Sequence, residues 1–234
     1  MKIALLGYGK MGKTIEQIAL NRGHEIVIKA TTENSNYDIT QADIAIDFSL
    51  PDAVVPHLTN CFNNGVPVIC GTTGWLEDYD KMVALCEEKK GAFIYASNFS
   101  LGVNIFFELN KVLARMMSNR KRYNVSMKEI HHTKKLDKPS GTAISLAKDI
   151  ISEHKKYDKW ALDSREANTV PIVAKRFPEV RGTHIVTYDS SIDSITIEHK
   201  AHSREGFAVG AVVAAEWLLG KTGVYSMKDV LNIG

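Results

Sequence analysis

Short apolar runs alternate with longer amphipathic ones from Lys2 to Asn98, a pattern that predicts βα units wound around a parallel sheet. Strands are predicted at 3–6, 25–30, 43–48, 67–70 and 92–96. Helices at 10–21, 51–63 and 76–90 fill the intervals; Gly23, Gly65 and Gly91 close them, and Pro51 opens the second in its first turn, as helix punctuation requires. After Asn98 the grammar changes. A long helix is predicted at 103–118, a strand at 123–130 and, beyond a polar loop, an amphipathic helix at 142–154. Two alternating strands, 183–188 and 194–200, flank a polar turn and imply a partly antiparallel sheet. Residues 204–219 return to helix, with Phe207, Ala211, Ala214, Ala215 and Leu218 on one buried face. Residues 155–178 are charged and weakly periodic and read as a surface excursion or mobile loop.

The predicted fold class is therefore α/β: a Rossmann-type doubly wound parallel sheet with a second α+β domain built on a mixed sheet. The division expected is 1–104, completed by the C-terminal helix of 205–234, and 105–204, about 100 residues and an ordinary domain size.

Composition narrows the function. With 44% apolar and 24% charged residues among 234, the chain falls outside the disordered, collagenous and disulfide-scaffold classes. A net charge of +2 provides no global field for nucleic acid or an anionic membrane, so neither is expected as a partner and any anion site must be local. Cys61, Cys70 and Cys86 are odd in number and lack paired-ligand spacing, which suits buried thiols in a reducing cytosol. The apolar start is broken by Gly7 and Gly9, too short for a signal peptide, and no run approaches the roughly 20 apolar residues of a membrane span. A soluble, cytoplasmic protein is expected.

Gly7-Tyr8-Gly9-Lys10-Met11-Gly12 is a GxGxxG between the first strand and first helix. There the glycines allow a tight turn, close approach of backbone to a pyrophosphate and close packing of helix on strand. The second strand runs into Thr31-Thr32 where an Asp or Glu would normally meet the adenosine ribose. Asp47-Phe48-Ser49, Gly71-Thr72-Thr73-Gly74 and Ser97-Asn98-Phe99-Ser100 each follow a predicted strand, at the sheet edge where open α/β sheets bind ligands. The densest polar segment, 129–143, holds His131, His132, Lys134, Lys135 and the turn Ser140-Gly141-Thr142. It reads as an acid group beside a helix N-terminal carboxylate cradle, with a solvated basic loop as the alternative. A metal site is not expected, because no third ligand with familiar spacing follows. His199 reads as a satisfied, half-buried histidine, and Arg181 and Arg204 matter only beside a dianionic substrate.

Taken together, GYGKMG, DFS at 47–49, GTTG at 71–74, SNFSLGVN at 97–104, EIHHTKKLDKPSGTA at 129–143 and HSREGFAVGA at 202–211 resemble the 4-hydroxy-tetrahydrodipicolinate reductase family of lysine and diaminopimelate biosynthesis. The resemblance implies a dinucleotide-binding first domain, a second domain for substrate binding and oligomerisation, a homotetramer and a cyclic dicarboxylate substrate. By that analogy His131 donates the proton, Lys135 is the essential lysine, and His132, Ser140, Gly141 and Thr142 bind substrate. Gly7, Lys10, Met11 and Gly12 match the pyrophosphate loop, and Gly71, Thr73, Ser97 and Phe99 the turns around the nicotinamide. Thr31 takes the ribose position. With no acidic group there and Lys29 nearby, both NADPH and NADH are expected to serve, NADPH being preferred. Other two-domain NAD(P) oxidoreductases, or a non-catalytic NAD(P)-sensing regulator, are the alternative functions.

Overall fold

Ile3, Ala4, Leu5 and Leu6 are at most 1% exposed, so β1 (Lys2–Leu6) is buried on both faces, as the middle of a parallel sheet must be. The computed structural model describes residues 1–203 and 205–233. It contains two compact units, Met1–Asn104 with Glu205–Gly234, and Ile105–Arg204.

In the first unit, β1 is followed by α1 (Lys10–Asn21), β2 (Glu25–Ala30), β3 (Ile44–Asp47), α2 (Pro51–Asn63), β4 (Val68–Cys70), α3 (Tyr79–Glu88) and β5 (Ala92–Tyr95). The helix α4 (Leu101–Met117) contains the boundary between the units.

The second unit continues with β6 (Asn124–His131), α5 (Gly141–Glu153), β7 (Lys159–Leu162), β8 (Thr169–Arg176), β9 (Thr183–Asp189) and β10 (Ser194–Lys200). The chain then returns to the first unit with α6 (Glu205–Leu218), β11 (Gly223–Tyr225) and α7 (Met227–Leu231).

The first sheet has the order β11-β5-β4-β3-β1-β2, with its paired strands parallel. The chain places β2 on one side of β1 and β3 on the other, so the strand order reverses at β1 and opens a crevice beyond its carboxyl end. The helix α6 buries Ala208, Ala211, Val212, Ala215 and Leu218 against Ile3, Leu5 and Ile15. Small residues let it lie close: a Cβ on Gly210 would stand 1.7 Å from the Phe99 carbonyl oxygen.

The second sheet, β10-β9-β6-β8-β7, is mixed: β6 pairs antiparallel with β9 and parallel with β8. Phe106 and Ala114 of α4 and Leu146 and Ile150 of α5 close its core over Val125, Met127, Ile172 and Val186.

Three predicted features need correction. Residues 155–178 are not a loop. They contain β7 and β8, and Val170, Ile172 and Ala174 alternate inward. Pro171 and the flanking charges hide this period; β8 depends on distant pairing with β6, and β7 joins the sheet through β8. The predicted helix 76–90 is a 3-10 turn, Leu76–Asp78, followed by α3. His199 is half-buried, but its Nδ1 has no hydrogen-bond partner among the described residues. The predicted start of the last helix, at Arg204, falls outside the described residues, and 205–234, expected as one C-terminal helix, is α6 followed by the short strand β11 and the helix α7.

Candidate active site

The glycine loop after β1 has the shape an anion requires. Gly7 takes φ +96°, and a Cβ there would lie 2.3 Å from the Phe48 carbonyl oxygen. A Cβ on Gly12 would lie 2.4 Å from the Gly7 oxygen, so its absence brings α1 close to the strand. Gly9 faces open space and caps α1 without any side-chain bond, and the first turn has no acidic residue. The free N–H groups of Lys10, Met11 and Gly12 therefore present the positive end of the helix. Lys10 itself is exposed and Met11 packs partly into the core.

A cavity of about 460 Å³ adjoins this loop, lined by residues that include Gly7, Gly9, Thr31, Thr32, Ser49 and His57. Thr31 Oγ1 accepts from the N–H groups of Glu33 and Asn34, at 3.3 and 3.0 Å, which leaves its own proton to donate into the cavity. Lys29 is otherwise engaged: its Nζ pairs with Glu16 at 2.6 Å, and Tyr8 donates to the same carboxylate. The lysine expected beside a cofactor phosphate thus already has a counter-charge.

The strand-end motifs converge in the same unit. Phe48 packs against Phe99 at 5.7 Å between centroids, and a Cβ on Gly71 would strike the Phe48 ring at 2.3 Å. Phe99 is fully buried, so position 99 can offer a ligand only backbone, whereas Thr73 and Ser97 are exposed.

His57 was missed from the sequence. Its Nδ1 lies 2.7 Å from the buried Asp47 carboxylate, which also accepts from Ser49 and Thr72. Ala53 and His57 both line the cavity, and their i, i+4 spacing on α2 was the available signal.

In the second unit the polar cluster is organised by a residue that no motif singled out. Glu129 on β6 is fully buried. Its Oε2 accepts from the Ser140 N–H at 2.9 Å and its Oε1 from Arg176 Nη2 at 3.0 Å. Burial raises the Glu129 pKa, but the bonds from Ser140 and Arg176 outweigh it and hold the carboxyl below its usual range. His131, two residues on and therefore on the same face of the strand, places Nε2 3.7 Å from Glu129 Oε2. Burial lowers the His131 pKa, with Glu129 opposing and Lys135 and Arg176 adding to the effect.

Ser140 caps α5, its Oγ accepting from Ala143 N–H at 3.2 Å. Gly141 is exposed and Thr142 half-buried in the first turn of this helix, where free N–H groups favour a carboxylate. Lys135 Nζ pairs with Asp137 Oδ1 at 2.8 Å. His132 is half-buried. The fold thus ties His131 and Ser140 together through Glu129, with Lys135 close enough to influence His131 electrostatically.

The sequence spacing offered no third metal ligand, yet the fold brings one ligand atom each of Glu129, His131 and His184 within 4.8 Å of one another. Both Glu129 oxygens already accept protein hydrogen bonds, and Arg176 and Lys135 oppose a further cation there.

A doubly wound parallel sheet with a glycine-cradled anion site, joined to a mixed-sheet unit carrying an acid-base cluster, defines a two-domain α/β protein of the dinucleotide-binding class. Residues 1–99 match the family model for the dihydrodipicolinate reductase N-terminus, and residues 102–231 that for its C-terminus. The chain belongs to the dihydrodipicolinate reductase family.

A 4-hydroxy-tetrahydrodipicolinate reductase of Christiangramia forsetii is 56% identical over 234 residues, covering 99% of this chain and 98% of the relative. One of Neisseria gonorrhoeae is 33% identical over 229 residues, covering 93% of this chain and 84% of the relative. Among solved structures, a dipicolinate-bound dihydrodipicolinate reductase from Paenisporosarcina sp. TG-14 superposes with a TM-score of 0.81 at 22% identity, covering 97% of both chains. That last likeness establishes the fold.

Proposed function

We propose that the protein is an NAD(P)H-dependent oxidoreductase that reduces 4-hydroxy-tetrahydrodipicolinate to tetrahydrodipicolinate in lysine and diaminopimelate biosynthesis. The observation that carries this reading is the 56% identity along the whole chain to a relative of that name, a match that spans both the glycine loop and the 129–143 segment. The bound nicotinamide supplies a hydride. The overall change consumes one proton and releases water from the hydroxylated ring.

The chain's own residues supply the remaining requirements. Met1–Asn104 with the returning C-terminal segment is the cofactor domain. There the α1 N-terminus, through Lys10, Met11 and Gly12, offers donors to the pyrophosphate. Thr31 offers a hydroxyl to the adenosine ribose, and Gly71, Thr73, Ser97 and the backbone of Phe99 form turns for the nicotinamide.

The second unit is the substrate domain. His131 delivers the proton to carbon, a role suited to an imidazole whose ordinary pKa lies near working pH. Lys135 offsets the negative charge that develops on the ring. Ser140, Gly141 and Thr142 hold one carboxylate through helix N–H groups and hydroxyls, with His132 beside them.

The test is oxidation of NAD(P)H by the purified protein, followed at the nicotinamide absorbance while a coupled synthase generates the heterocyclic substrate. Turnover dependent on that substrate is expected. Its absence with both cofactors, from folded protein, would overturn the reading.

The same assay addresses cofactor choice. Thr31, Thr32 and Ser35 offer hydroxyl donors to a 2′-phosphate, with Lys29 committed to Glu16, so both cofactors are expected to work with a moderate NADPH preference. Thr31→Asp should move the kcat/KM ratio toward NADH by about tenfold or more, equivalent to about 1.4 kcal/mol, through repulsion of the phosphate and a gained ribose contact. A wild type strongly selective for NADH would contradict this account.

A homotetramer assembled through the second unit is part of the same proposal. In its support, Ile105, Leu109, Val112 and Met116 form an apolar stripe on α4, each 47–67% exposed. The spacing is helical, and such stripes mark contact surfaces. Light-scattering mass in solution decides between four copies and one. Cytoplasmic residence is proposed from the three free, buried cysteines. Among the described residues no helix is long and apolar enough to cross a membrane. No nucleic-acid partner is proposed.

A further inference from the structure

The His131 ring is gripped from elements far apart in sequence. In the antiparallel register Glu129 on β6 faces His184 on β9, and His184 in turn faces His199 on β10. His184 is 5% exposed. Its Nε2 lies 3.3 Å from His131 Nε2, 3.2 Å from Ser140 Oγ and 3.9 Å from Glu129 Oε2. The two imidazoles meet nearly edge to face, with centroids 5.1 Å apart. Gly182, two residues before His184, leaves room for the far edge of the His131 ring: a Cβ there would stand 3.1 Å from its Cε1. The ring is therefore bonded on its Nε2 side and close to the Gly182 backbone on its Cε1 side.

We propose that Glu129 and His184 are positioning residues for the reduction: Glu129 is the buried counter-charge to a protonated His131 and also holds the Ser140 turn, and His184 is the hydrogen-bonding partner that fixes the His131 ring. This proposal rests on the reading of His131 as the proton donor.

Three observations bear it out physically. Each Glu129 oxygen accepts a protein hydrogen bond, so the carboxylate cannot swing away from His131. The same Oε2 that faces His131 holds the Ser140 N–H, which couples the proton donor to the helix that cradles the substrate carboxylate. His184 is too deeply buried to charge beside His131, its pKa being pushed down to about 3 by burial first and His131 second. Of two imidazoles in contact, only His131 then carries the extra proton. Lys135 and Asp137 on the 132–139 loop, Arg176 on β8 and His199 on β10 are the other titratable groups around this pair.

Glu129→Gln, His184→Leu and His184→Gln, compared with His131→Gln in the reductase assay, test the proposal. Glu129→Gln keeps the shape and removes the charge that favours protonated His131. The falling limb of kcat/KM against pH should therefore move about one unit toward lower pH, with the cofactor KM unchanged.

His184→Leu should lower kcat about tenfold or more while the melting temperature holds or rises. Such an outcome is expected because His184 Nδ1 is buried with no hydrogen-bond partner among the described residues, and an apolar replacement removes that cost. His184→Gln, which restores an amide near the Nε2 position, should recover part of the lost kcat.

Wild-type kcat and pH profile in both Glu129→Gln and His184→Leu, with His131→Gln impaired, would overturn the positioning roles and leave His131 standing. A kcat loss in His184→Leu that merely follows a fall in melting temperature, with the Glu129→Gln profile unmoved, would overturn them too. An unimpaired His131→Gln would instead defeat the reading of His131 itself.

Discussion

His131→Gln is expected to lower kcat by about 10²-fold or more. Glutamine keeps the length and a hydrogen-bonding end, so the contact with His184 is partly retained and the fold is not emptied of volume. What it lacks is a proton that can leave near neutral pH. The KM for NAD(P)H should stay close to wild type, because the residues proposed for the cofactor lie on Met1–Asn104. The pH dependence should also change in a defined direction. A donor must be protonated to act, and burial holds the His131 pKa below its usual value, so wild-type kcat/KM should fall as pH rises through that pKa. In the variant this falling limb should disappear. A variant with near-normal kcat, or one that keeps the limb, would remove His131 from the chemistry.

Lys135→Ala is expected to cost a similar factor in kcat, about 10²-fold, together with a higher KM for the dicarboxylate. In this structure the lysine is paired with Asp137 at 2.8 Å, the lysine side chain 24% exposed and the aspartate 56%. An ion pair so exposed on one side is weak, so a dianionic ligand can draw Nζ away from Asp137 at little cost. Asp137→Asn should accordingly leave kcat within a few-fold of wild type. Steady-state kinetics on both variants checks the pair; an Asp137→Asn enzyme as impaired as Lys135→Ala would mean that the ion pair, rather than the free ammonium, is what the reaction needs.

The sheet of the first unit was legible because its strands are buried on both faces. Continuous apolar runs such as Ile3 to Leu6 and Ile44 to Ile46 mark strands covered on both sides when Gly and Pro punctuate the helices between them. The glycine loop was legible for a related reason: the close approaches at Gly7 and Gly12 exclude any side chain, so the backbone requirement is written as residue type. The resemblance then supplied the roles of His131, Lys135 and the SGT turn, all carried by one contiguous segment.

What escaped sequence reasoning is long-range. β8 depends on pairing with a strand about 45 residues away, Met127 with Ile172 for example, β7 joins the sheet only through β8, and a proline and surface charges mask the local period. Glu129 lay inside a quoted motif yet showed no role, because its partners Ser140, Arg176 and His184 are 11, 47 and 55 residues distant. His184 meets Glu129 only because the antiparallel register of β6 and β9 sets them opposite each other.

Local chemistry and periodicity are properties of neighbours in the chain, so the sequence by itself determined the layer architecture and placed the glycine turn after β1 and the histidine-lysine segment at the end of β6. Only the tertiary structure decided which buried charge faces His131, that Lys29 is spent on Glu16, and that His57 is held against Asp47, because electrostatic environment and burial depend on contacts that strand register creates between residues the chain keeps far apart.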